Sequence, residues 1–111
     1  IRTIAEYGLQ GSRISEYTGV WLSDGTEGKG TNRKICAIGV HLSRWVTLHG
    51  WAFNVNTALE YFDYIVPCGI ADADKSVTSL AAELGRPVDP DEVKEKIKRH
   101  FQAVFDCKLI F

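Results

Sequence analysis

Two apolar runs constrain this chain more than any other feature. They are "KICAIGVHLS" (34–43) and "WVTLHGWAFNVN" (45–56). Both are rich in β-branched and aromatic residues, which suit a pleated, half-buried surface, and they follow each other closely enough to form neighbouring strands. In strict alternation, Lys34, Cys36, Ile38 and Val40 share one face of the first strand, and Ile35, Ala37, Gly39 and His41 share the other. Each run is broken by a glycine, Gly39 and Gly50. A glycine inside a strand marks a bulge, plain sheet packing, or a place where a ligand passes close to the backbone.

The segments around this pair fill in an α+β reading. Residues 1–8 read as the last turns of a helix with Ile1, Ile4 and Ala5 on one side, ended by Gly8 and Gly11. A helix already under way at residue 1 suggests further chain upstream. Residues 19–23 read as a short strand, and "DGTEGKGTNR" (24–33) as an exposed hairpin loop. That loop lacks the spacing of a phosphate-binding loop. Thr57 and Glu60 have the spacing of a capping box opening a short helix, "ALEYFDYI", with Leu59, Phe62 and Ile65 inward. Pro67 ends it and holds Val66 extended. "ADADKS" (71–76) reads as a loop, and "VTSLAAEL" (77–84) as a strand end followed by a helix capped by Gly85.

The final helix has the fullest set of signals. Asp89 caps it, Pro90 takes the first turn and Glu92 completes an Asp-x-x-Glu box. Val93, Ile97, Phe101, Val104 and Phe105 form its apolar stripe. Strands first and helices later favour helices packed on one sheet face.

Bulk properties exclude several classes. The 111 residues suffice for one domain or part of one. With 45% apolar and 24% charged residues, the chain is neither disordered nor a disulfide scaffold, and a net charge of −1 does not suggest nucleic acid or anionic membrane. No apolar run approaches the roughly 20 residues of a membrane span. The three cysteines, Cys36, Cys68 and Cys107, lack metal-site or disulfide spacing and fit a reducing compartment. Cys36 and Cys107 read as packing residues, and Trp21, Trp45 and Trp51 as core.

Cys68 is the chemical candidate. It lies in "IVPCGI" (65–70), where Pro67 fixes the backbone and Gly69 frees it, so the turn is suited to present a sulfur and to offer N–H groups to an oxyanion. On residue type alone, a small buried hydrophobe is the commoner role for such a cysteine. A free thiol has a pKa of about 8.5, so a nucleophilic Cys68 needs a neighbouring cation. Lys34 and His49 both qualify, and spacing does not choose between them.

Four segments together resemble the lipoyl(octanoyl) transferase family: "YTGVWL" (17–22), "RKICAIGVHLSRWVTLHGWAFNVN" (33–56), "YFDYIVPCGI" (61–70) and "VTSLAAELGR" (77–86). The specific part is the combination of the lysine-to-AIG segment, the HG-x-A-x-N segment and the PCG turn. The resemblance implies a biotin/lipoate protein ligase-like fold, of which residues 1–111 are the C-terminal half. The family's R-G-G…H-G-P segment, one wall of its acyl tunnel, is absent.

By the same resemblance, an octanoyl group moves from octanoyl-acyl carrier protein, through a cysteine thioester, to a lysine of a lipoyl domain. That domain belongs to a 2-oxoacid dehydrogenase or to glycine-cleavage H protein. No nucleotide is required, since the thioester is already activated. Residue by residue, Cys68 matches the nucleophile and Lys34 the lysine that lowers its pKa. Ala37, Ile38, Gly39, Gly50, Trp51 and Ala52 match the lining of the acyl site, and His49 a supporting histidine. The implied location is the cytoplasm, or a mitochondrion or plastid. The alternatives are a lipoate-ligase-like relative that needs ATP, and a module that binds carrier or lipoyl domains without catalysis.

Overall fold

The computed structural model describes residues 1–24, 32–65 and 74–110. Val66, Pro67, Cys68 and Gly69, together with most of the glycine-rich loop and the start of "ADADKS", lie outside the described residues. The order of elements is α1 (Arg2–Ala5), β1 (Ser12–Ile14), β2 (Tyr17–Ser23), β3 (Asn32–Ser43), β4 (Val46–Phe53), a 3₁₀ helix (Leu59–Tyr64), β5 (Lys75–Val77), α2 (Leu80–Leu84) and α3 (Pro90–Phe105).

One mixed sheet organises the chain. Strands β1 to β4 are antiparallel neighbours, and β5 runs parallel to β3. Cys36 pairs with Val20 on β2 and with Phe53 on β4. Lys34 pairs with Trp21 on β2 and with Val77 on β5. Strands β4 and β5 therefore lie end to end along the same edge of β3, with β2 on the other edge. The helices cover one face. Ile4, Leu80, Val88 and Val93 pack there against Leu22, Ile35 and Cys36. This is the expected α+β layering, with one strand, β1, that the sequence reading did not assign, and the start of β5, which it read as loop.

Several local expectations are corrected. The capping box at Thr57 does not form. Ala58 is the N-cap and makes no side-chain cap, while the Thr57 hydroxyl donates to Asn54 Oδ1 at 3.3 Å. The segment winds as a 3₁₀ helix, and Ile65 just beyond it is 59% exposed rather than inward. The box at α3 is half formed. Asp89 Oδ1 accepts from the Asp91 N–H at 2.9 Å, but Glu92 turns outward to Lys96 and the Tyr7 hydroxyl. Gly85 takes the expected left-handed cap at φ 69°.

The β3–β4 turn is also displaced from its expected place. Ser43 pairs with Val46, so Arg44 and Trp45 form a two-residue turn, both at positive φ (50° and 64°), the geometry of a type I′ hairpin. Asn-Gly normally supplies such a turn, which is why Arg-Trp was invisible as one. Trp45 is 92% exposed at its tip, not in the core.

Candidate active site

The faces of the sheet are set by an irregularity next to Lys34. On β2, Val20 pairs with Cys36 and the next residue, Trp21, pairs with Lys34. Strand β3 thus contributes one extra residue, Ile35, a β-bulge. The bulge breaks the alternation expected from the sequence. Ile35 and Cys36 both join the core under the helices. Lys34 turns to the opposite face, with its ammonium 4.8 Å from the centre of the Trp21 ring. Lys34 is therefore not on the face of Cys36, Ile38 and Val40. It shares a face with Ala37 and Gly39 beyond the bulge.

Close packing fixes this arrangement. Trp21 is fully buried, its indole N–H donates to the Tyr17 carbonyl at 3.0 Å, and the Tyr17 ring meets it edge-on. Lys34 is 8% exposed. Gly19 lies on the same side at φ 139°, where a Cβ would stand 2.6 Å from the Cys36 carbonyl oxygen and 3.4 Å from Lys34 Cε. Only glycine fits a backbone of that conformation so close to another strand.

Along the same face, β3 and β4 pair small residue to small residue: Ala37 with Ala52, and Gly39 with Gly50. A Cβ built on Gly39 or Gly50 meets nothing within 4 Å among the described residues. The glycines are not there for tight sheet packing. They leave a smooth floor on the face away from the helices. Ile38 and Trp51 pair with each other on the opposite face, where the Trp51 ring lies 5.7 Å from Phe101 of α3. The structure thus brings Lys34, Ala37, Gly39, Gly50 and Ala52 to one face and puts Ile38 and Trp51 behind them.

His49 is exposed at φ 68° and pairs with Val40. From Lys34 to Val40 is about 20 Å along an extended strand. One sulfur therefore cannot have both Lys34 and His49 as neighbours. The segment carrying Cys68 has described flanks at Ile65 and Asp74. On the second flank, the Asn32 N–H donates to the Asp74 carbonyl at 2.8 Å, and β5 then runs beside Lys34. The strand that follows the Cys68 segment in sequence thus pairs beside Lys34, whereas His49 lies farther along β3, opposite Val40.

Cys36 is excluded as a competing nucleophile. Burial pushes its thiol pKa up, and a buried thiol of raised pKa is inert.

Two residues near Lys34 were missed by the sequence reading. Thr78 is 3% exposed, and its N–H donates to the Lys34 carbonyl at 2.9 Å. Asn54, just past β4, donates its N–H to the Ile35 carbonyl at 3.0 Å. The signal for Asn54 was its place at the end of the HG-x-A-x-N segment. For Thr78 there was none.

Comparison with known proteins agrees with this architecture. The profile of the lipoyl protein ligase A/B catalytic domain matches residues 1–102. A protein of Flavobacterium psychrophilum named octanoyltransferase is 55% identical over 111 residues, covering 99% of this chain and 46% of that relative. Octanoyltransferases of Flavobacterium johnsoniae and Solibacter usitatus are 54% and 51% identical, each over 99% of this chain, and it covers 46% and 44% of them. The chain spans a little under half the length of these relatives. With the profile matched over nearly its whole length, this chain belongs to the lipoyl protein ligase A/B catalytic-domain family.

Proposed function

We propose that this chain is the C-terminal half of an octanoyltransferase domain in which Cys68 carries the acyl group and Lys34 governs its charge. The observation that carries the reading is the position of Lys34. It is buried on the face that bears the Ala37–Ala52 and Gly39–Gly50 floor, beside the strand that follows the Cys68 segment.

An ammonium beside a thiol favours the thiolate. The Cys68 thiolate attacks the carbonyl carbon of octanoyl-acyl carrier protein, forming a new C–S bond. Backbone N–H groups of the PCG turn stabilise the oxyanion. The carrier's C–S bond breaks and its thiolate leaves, taking a proton from Lys34. The ε-amine of a lipoyl-domain lysine then attacks the acyl-enzyme. A C–N bond forms, the C–S bond to Cys68 breaks, and neutral Lys34 takes the surplus amine proton. The acyl chain lies along the small-residue floor. Ile38 and Trp51 support that floor from behind, and His49, paired with Val40, lies one residue beyond its Gly39–Gly50 end. The donor is already a thioester, so the reaction consumes no nucleotide.

Mass spectrometry of a complete family domain carrying residues 1–111, after exposure to octanoyl-carrier protein, tests the reading. An octanoyl adduct on Cys68, lost in Cys68→Ser, is expected. No adduct, or an undiminished rate in Cys68→Ser, overturns it. A requirement for ATP would transfer the chain to the ligase reading. Binding of a lipoyl domain without acyl transfer would leave only a binding role.

A further inference from the structure

Strands β4 and β5 meet end to end along β3 at the bulge, and Asn54 stands at the junction. Its backbone N–H donates to Ile35 O at 3.0 Å, and its side-chain Nδ2 donates to Thr78 O at 3.0 Å. Its own carbonyl accepts from the Leu80 N–H at 2.9 Å, which opens α2. Its Oδ1 accepts from the Thr57 hydroxyl. These neighbours orient the amide, because the Thr78 carbonyl is an acceptor and must face the NH₂.

Thr78 in turn donates its N–H to Lys34 O at 2.9 Å. The two carbonyls at the bulge, Lys34 and Ile35, are thus held by Thr78 and Asn54, and the Asn54 amide ties those two residues together. Thr78 is anchored on its other side. Its hydroxyl donates to Glu83 at 2.6 Å, and Glu83 holds Arg33, the residue before Lys34, through bonds of 2.7 and 3.1 Å.

We propose that Asn54 is a positioning residue for Lys34: its amide closes the gap between β4 and β5 and so fixes the direction in which Lys34 leaves the bulge. A bulge re-aims a side chain, and the Asn54 amide is the side-chain bond that links the two residues holding the bulge carbonyls. Asn54→Asp keeps the size of the side chain but sets an acceptor against the Thr78 carbonyl. The proposal rests on Lys34 acting in the reaction proposed above.

The test compares a complete family domain carrying residues 1–111 with its Asn54→Asp and Asn54→Ser variants. Competitive acetylation of lysines, read by mass spectrometry, gives the reactivity of Lys34 relative to the exposed Lys94. In the folded variants the ratio should change severalfold. The rate of Cys68 acylation should fall about ten- to a hundredfold, as expected for a misplaced reacting group, with KM for the octanoyl donor unchanged.

A merely structural Asn54 would lower Tm and leave both the ratio and the acylation rate of the folded protein as they were; that result overturns the proposal. If neither variant folds in buffer, both readouts are taken in an osmolyte that restores folding; a Lys34 ratio and acylation rate equal to the parent's overturn the proposal, and a change in both supports it. Acetylation does not depend on octanoyl transfer. A changed ratio alongside a Lys34→Ala variant of full activity would therefore sink the reaction assignment and spare the positioning one.

Discussion

Lys34 derives its properties from three neighbours: Trp21 under its ammonium, Gly19 beside its stem, and the bulge that turns it. Two substitutions test this arrangement. Lys34→Met keeps much of the stem's packing on Trp21 and removes the charge. It should slow Cys68 acylation about 10²- to 10⁴-fold, the usual range for losing a positioned acid–base group. The pH dependence of thiol alkylation should move upward with it; an unchanged profile would remove Lys34 from the mechanism. Gly19→Ala places a methyl against the Cys36 carbonyl at a φ that suits only glycine. It should cost about 1–3 kcal/mol in urea unfolding. Equal stability of the variant would show that β2 and β3 can part at that point.

The β3–β4 hairpin is an element with two unlike faces. One carries the alanine and glycine pairs, and the other carries Ile38, Val40 and Trp51. Gly39→Val should be tolerated by the fold, because a Cβ there meets open space. It should raise KM for the octanoyl donor severalfold while leaving Tm within a few degrees. An unchanged KM would take Gly39 out of the acyl floor.

A second element-level link is the Arg33–Glu83 pair, which ties β3 to α2. Burial raises the Glu83 pKa, but hydrogen bonds from Arg33 and Thr78 outweigh it and hold the carboxyl below its ordinary 4.5. A depressed folded pKa contributes stability that is present above the unfolded value and lost as pH falls through the folded one. Glu83→Gln should therefore destabilise by about 1–3 kcal/mol at pH 7. That difference should shrink to nearly nothing once the pH is well below 4.5, read by denaturant titrations at both values.

At the scale of the molecule, the described residues leave most of the β3–β4 hairpin uncovered. Among the described residues, no strand joins the outer edge of β4, and none joins β3 beyond Cys36 on its β2 side. Val40, Leu42, Val46, Leu48 and Trp51 are all more than half exposed. Apolar surface on this scale marks a contact surface. It fits a chain that spans under half the length of its relatives. Residues 1–111 alone should bind an apolar dye and show no octanoyl transfer. Transfer by the isolated chain at the rate of the complete domain would refute that expectation.

The strand pair, the terminal helix and the stop at Gly85 were legible in the residues, because each rests on local physics: alternation, a capping aspartate, a left-handed glycine. The small-residue floor was half legible. Gly39 and Gly50 stood out, but only register places them opposite each other and beside Ala37 and Ala52. The side on which Lys34 lies was not legible. Alternation predicted the face of Cys36, and one extra residue, Ile35, reversed it. A bulge is a property of two paired strands, and neither strand's own pattern records it. The tie from Asn54 to Thr78 spans 24 residues of chain and is likewise a product of the sheet. Local sequence thus specified the elements and named the reactive candidates. Long-range strand pairing set which face each candidate meets, because a shift of one residue exchanges the two faces of a strand.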